Sequence, residues 1–139
     1  MKGDVVALMM PNPPEYLAVW LGVTRMGGVV ALLNTNLTGA ALAHCVNIVS
    51  PKHIIVEASL VESFRTAVPH LTGSSALWCH GGAPQGFERI DMIVDALSNA
   101  PVPDSELRAL TIEDKCLYVY TSGTTGLPKA ANINHYRVQ

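Results

Sequence analysis

Near the end of the sequence, Thr121-Ser122-Gly123-Thr124-Thr125-Gly126-Leu127-Pro128-Lys129 gathers four aliphatic hydroxyls, two glycines and a lysine in one short stretch. These residue types suit a polyphosphate. Glycines let backbone N–H groups approach closely, hydroxyls add donors, and one ammonium offsets negative charge. The spacing excludes the familiar phosphate loops. From Gly123 it runs G-x-x-G-x-x-K, with Pro128 before the lysine and Ala130 after it, so the Walker A loop and its magnesium-binding hydroxyl are absent. Gly123 and Gly126 have no third glycine and no opening helix, as a Rossmann turn requires. A G-x-S-x-G nucleophile elbow is not found either.

Such a loop needs a scaffold. The run 115–120 reads as a strand feeding it, 130–134 as a short strand leaving it, and 135–139 as the start of a helix. Upstream, 4–10 reads as a buried strand ended by Pro11. A helix then opens with Asn12 as cap, Pro13 as first residue and Glu15 completing a capping box. Its inward face is Tyr16, Val19, Trp20 and Val23, widened by Leu17 and Leu21, and Gly27-Gly28 stops it. Residues 29–33 form a second buried strand, and Asn34-Thr35-Asn36 a turn. A second helix turns Leu42, Cys45, Val46 and Val49 inward and ends at Pro51, with His44 read as structural. Residues 52–56 give a third strand, and Ser59 with Glu62 a second capping box for a short helix burying Val61, Phe64 and Val68. Residues 75–80 are expected as a strand and 87–97 as a helix, with Ile90, Ile93, Val94 and Leu97 on one face and Asp91 and Asp95 on an exposed acidic one. Residues 99–106 read as a surface connection. Strands alternating with helices predict an α/β fold around a mainly parallel sheet.

Composition agrees. The 139 residues are 49% hydrophobic and only 14% charged, as expected when strands are buried on both faces or when neighbouring parts are missing. A net charge of −2 without a basic run gives no nucleic-acid footprint. Cys45, Cys79 and Cys116 are odd in number and far apart, so they outline neither a disulfide framework nor a zinc site, and a reducing compartment is expected. The apolar stretch 16–33 carries Arg25 and Gly27-Gly28 within it. A helix followed by a strand explains it better than a membrane span, with peripheral membrane contact left open.

The run from Tyr120 to Lys129 resembles the phosphate-binding signature of the AMP-forming acyl-activating enzymes, the adenylate-forming superfamily. Upstream, Ala31-Leu32-Leu33-Asn34-Thr35-Asn36-Leu37 and Ala41-Leu42-Ala43-His44-Cys45, with Lys129-Ala130-Ala131 and His135-Tyr136-Arg137 downstream, look like the fatty acid transport protein branch, the very-long-chain acyl-CoA synthetases. The resemblance is weak between Ala58 and Leu110. It implies a fatty acid–CoA ligase using ATP, Mg2+ and coenzyme A. Thr121, Ser122, Gly123, Thr124, Thr125, Gly126 and Lys129 would then hold the β- and γ-phosphates. His135 stands where the family places a histidine near the acyl site, with helix capping or packing as the alternative.

Family members run several times this length. Residues 1–139 are therefore expected to be part of the N-terminal AMP-binding domain, with the rest of that domain and the small C-terminal domain beyond it. No catalytic or metal-binding residue is assigned in this stretch, and the chain by itself is expected to be inactive. Two other readings stay open, a non-catalytic nucleotide-binding module and a membrane-associated fatty acid uptake protein. Localisation is expected to be cytoplasmic or membrane-associated.

Overall fold

Apolar runs of four or five residues, bounded by Gly, Pro and Asn, become the first four strands of one seven-stranded sheet. The computed structural model describes residues 1–122 and 126–138. In chain order the elements are β1 (Val5–Met9), α1 (Pro14–Arg25), β2 (Val29–Leu32), α2 (Gly39–Val49), β3 (His53–Glu57), α3 (Val61–Arg65), β4 (Ala76–His80), β5 (Glu88–Arg89), α4 (Ile90–Asp95), β6 (Lys115–Thr121), β7 (Lys129–Asn134) and α5 (His135–Val138). The sheet order is β5-β4-β3-β1-β2-β6-β7, and every pairing is parallel except β6 with β7. The expected mainly parallel α/β architecture is what forms.

Two apolar layers sandwich the sheet. On one face Ala7, Met9, Ile54 and Val56 pack under Leu42, Cys45, Val46 and Val49 of α2 and Val61 and Phe64 of α3. On the other, Leu8, Val30 and Ile55 pack under Tyr16, Val19, Trp20 and Val23 of α1 and Ile90 of α4. Covering both faces is why β1 and β3 read as unbroken apolar runs. The segment 16–33 resolves into α1, a turn and β2. Among the described residues no helix is long and apolar enough to cross a membrane.

The end of α1 follows from two glycines. Gly27 takes φ +82° and donates to Thr24 O at 3.0 Å, while Gly28 donates to Val23 O at 2.9 Å, a Schellman closure that returns the chain directly into β2. A Cβ on Gly28 would stand 2.7 Å from Val23 Cγ1, so the helix–strand junction needs glycine there.

Several expected boundaries move. Pro14 holds Pro13 extended (φ −79°, ψ 169°), so Pro13 is itself the cap residue and Asn12 lies outside the helix, making no side-chain cap. Glu57 accepts from Ser59 N at 3.0 Å and also binds the Ser59 hydroxyl, which shapes a 3-10 turn over Ala58–Leu60. Ser59 therefore does not cap α3, and Glu62 pairs with Arg65 Nε at 3.2 Å. Val68, expected inside, is exposed, and Leu17 and Leu21 are 50% and 60% exposed, so the buried stripe of α1 is narrower than its apolar composition.

The expected helix over 87–97 is cut to six residues because Glu88–Arg89 pair with β4 instead. Phe87 turns to the opposite face and meets Phe64 edge-on at 6.0 Å. Asp91 is not a free acidic surface. Arg89 Nη2 donates to it at 3.0 Å and Gly81 N at 3.3 Å, fixing the β5–α4 corner, and the Arg89 guanidinium holds its carboxyl down at about 2. Ile90 joins the core, whereas Ile93, Val94 and Leu97 remain exposed.

Two glycines of one helix–turn segment should respond oppositely. Gly28→Ala is expected to destabilise the chain by about 1–3 kcal/mol through overpacking against Val23. Gly22→Ala, where a Cβ meets nothing within 4 Å, should stabilise it by roughly 0.5–1 kcal/mol through helix propensity. Urea denaturation of both variants measures the contrast.

Candidate functional site

The hydroxyl- and glycine-rich loop is the connection of the β6–β7 hairpin. The antiparallel register pairs Tyr120 with Ala130 and Thr121 with Lys129, leaving 122–128 as the loop. Since β6 runs parallel to β2, the loop emerges at the carboxyl end of the parallel strands, where open α/β sheets bind their ligands. Thr121 and Lys129 stand directly opposite one another, so their side chains leave the sheet on one face. Thr121 Oγ1 donates a long 3.5 Å bond to Lys129 O. Thr121, Ser122, Gly126 and Lys129 are all exposed, and Gly126 adopts φ +134°, a conformation L side chains rarely take. Gly123, Thr124 and Thr125, expected in the same cradle, lie outside the described residues.

Helix α2 holds both stems of this hairpin. The Tyr120 hydroxyl donates to Cys45 O at 2.6 Å on the entry side. His44 Nε2 lies 2.9 Å from Pro128 O on the exit side. A carbonyl only accepts, so His44 carries its hydrogen on Nε2. Burial pushes the Tyr120 phenol well above its usual value, which keeps it a donor. The helix is itself tied down. Gly39 N donates to Thr66 Oγ1 at 2.7 Å, Asn47 Nδ2 to His70 O at 3.0 Å, and Thr72 N to Asn47 Oδ1 at 3.0 Å.

His44, read as structural, makes a structural contact to the carbonyl of Pro128, and Tyr120 had no assigned role. Their partners lie 84 and 75 residues away, so no local spacing could reveal either bond. Asn34 and Asn36 form the expected turn, with Asn36 N donating to Asn34 Oδ1 at 2.9 Å. All three cysteines are buried free thiols that burial pushes up.

His135 sits at the far end of β7 from the loop, a separation of roughly 17 Å along the strand. Its ring Nε2 is buried without a hydrogen-bond partner among the described residues. Capping of α5 belongs instead to Asn134, whose Oδ1 accepts from Arg137 N at 3.2 Å.

A family model described as AMP-binding enzyme matches residues 1–138, and the chain belongs to that family. Among curated proteins, it is 39% identical over 99% of its length to long-chain fatty acid transport protein 6 of Mus musculus. It is 36% identical, again over 99%, to long-chain fatty acid transport protein 2 of Rattus norvegicus. It spans 22% and 23% of those proteins' own lengths. Among solved structures, an anthranilate CoA ligase in complex with anthranoyl-AMP superposes with a TM-score of 0.84 at 20% identity, over 96% of this chain and 25% of that one. A long-chain-fatty-acid-CoA ligase from Archaeoglobus fulgidus gives 0.79 at 24% identity, over 97% and 26%. These structures share the fold.

Removing the Tyr120 hydroxyl tests the clamp. Tyr120→Phe should cost about 1 kcal/mol. The folded phenol titrates above its ordinary value of 10, so its contribution is fully present below that pH and lost as pH rises beyond it. Denaturant titrations at neutral pH and above pH 10 should therefore show the variant losing less stability on alkalinisation than wild type.

Proposed function

We propose that the chain forms part of the large nucleotide-binding domain of an ATP-dependent, AMP-forming fatty acid–CoA ligase. The observation that carries this reading is the hairpin loop itself. It is rich in donors, opens at the carboxyl end of the parallel strands, and ends in an exposed lysine opposite Thr121. In the proposed reaction a fatty carboxylate attacks the α-phosphorus of ATP. An acyl–O–P bond forms, the bond to the β-phosphate breaks, and pyrophosphate leaves. Coenzyme A thiolate then attacks the acyl carbonyl and AMP departs.

This chain's part is to receive the leaving pyrophosphate. Thr121, Ser122, Thr124 and Thr125 donate hydroxyl or backbone hydrogen bonds, Gly123 and Gly126 allow close approach, and Lys129 balances charge. Donors already aimed at developing charge need no reorganisation during the reaction. No metal ligand is proposed among residues 1–139. Groups for Mg2+, adenine, ribose and coenzyme A are proposed to lie in the remainder of a longer polypeptide, because the matched relatives are several times longer. The long-chain acid is inferred from the names of those relatives. One observation favours an added peripheral membrane contact, coupled to fatty acid uptake, for a protein otherwise cytoplasmic: Leu17 and Leu21 of α1, Met92 of α4 and Leu97 just beyond it are exposed.

In the full-length polypeptide, Lys129→Ala should lower fatty acid-dependent ATP–pyrophosphate exchange roughly 10²–10³-fold while leaving the thermal midpoint unchanged. Exchange at wild-type rate would overturn the assignment. The 139-residue chain alone should catalyse no exchange, and turnover by it would refute the division of the site between this chain and the remainder.

A further inference from the structure

We infer that His44 is a positioning residue for the phosphate loop, with helix α2 acting as the fixed platform on which both loop stems are set. This rests on the phosphate reading of the loop and adds a residue far from it in sequence. Consecutive residues of α2 bind the two sides of the hairpin, Tyr120 within the ladder and Pro128 just beyond its last pair. Cys45 O takes the hydroxyl of Tyr120, one residue before Thr121, and His44 Nε2–H reaches the carbonyl of Pro128, one residue before Lys129. The hairpin ladder alone fixes Thr121 against Lys129. It does not fix the angle at which the hairpin end stands over the sheet, because β7 is an edge strand with a neighbour on one side only. The two bonds to α2 supply that restraint.

The platform is rigid for identifiable reasons. Leu42, Ala43, Cys45, Val46 and Val49 are buried, and the hydroxyl of Thr66 and the amide of Asn47 tie the helix to neighbouring segments near its two ends. Of the two stem bonds, the one from His44 is adjacent to the lysine. Pro128 has no N–H of its own and a restricted φ, so its carbonyl is the group through which a neighbouring side chain can hold this turn. Loss of the bond frees the segment 126–129 to swing, and Lys129 with it, while the buried side of α2 is untouched. A donor at the Nε2 position is what matters, and glutamine places its amide nitrogen close to where histidine places Nε2.

The test compares wild type, His44→Leu and His44→Gln in the full-length polypeptide, with inorganic pyrophosphate as the probe. Backbone amide exchange at Leu127, Lys129 and Ala130 reads the restraint, and calorimetry reads binding. His44→Leu should accelerate exchange at these amides and weaken pyrophosphate binding roughly tenfold with an unchanged thermal midpoint. His44→Gln should restore both. Unchanged exchange in His44→Leu, or faster exchange with unchanged binding, overturns the positioning role while leaving the phosphate reading intact. So does a His44→Gln protein that folds and binds no better than His44→Leu. No pyrophosphate binding by wild type overturns the phosphate reading, and the positioning role falls with it.

Discussion

The hand of the crossovers decides which helix meets the loop. A parallel connection in a twisted sheet is right-handed almost without exception, so its helix lies on a face set by the direction of travel. From β1 to β2 the chain moves one way, and α1 covers one face. From β2 to β3 and on to β4 it moves the other way, and α2 and α3 cover the opposite face. The connection into β5 continues in that direction, and Phe87 accordingly packs beside Phe64 on the α2–α3 side. Tyr118 and Tyr120 of β6 face this same side by alternation along the strand, which brings the Tyr120 hydroxyl beneath α2. Handedness, a property of the backbone, thereby delivers a specific side chain to a specific carbonyl.

The two faces are unequal. Beneath α2 and α3, buried apolar residues follow one another without interruption from Ala7 and Met9 to Phe64. On the α1–α4 side, packing relies more on half-buried residues, and both helices leave large side chains in solvent. At roughly 25 cal/mol per Å² of apolar surface removed from water, the first face contributes more to stability. The loop is anchored to that face. Its anchors thus sit on the better-packed half of the molecule.

Much of this architecture was legible in the residues. Buried strands read true because both faces of β1 and β3 are covered, and the helix faces of α2 read true because Leu42, Cys45, Val46 and Val49 keep a helical period. Errors came where a local signal met a competing neighbour. Pro14 displaced the cap from Asn12, Glu57 captured Ser59, and β4 drew Glu88–Arg89 out of a helix. The loop announced itself through composition. Its supports did not, since His44 and Tyr120 act across distances in sequence that only the folded sheet closes.

A loop proposed to bind phosphate faces conflicting demands. Glycines and hydroxyls make it permissive enough to wrap an anion, and the same residues give it little preference for any one shape. Electrostatic stabilisation depends on donors being in place before charge develops. The resolution here is to keep the loop's own sequence permissive and to take its placement from elsewhere. Proline stiffens the exit, a two-residue pairing of Thr121 with Lys129 sets the width of the mouth, and adjacent residues of one buried helix hold the two sides. Order at the stems limits what the loop must lose on closing over a ligand, because the conformational entropy of residues already held is not spent again. Tyr120 and Pro128 thus take their placement from outside the loop's own sequence.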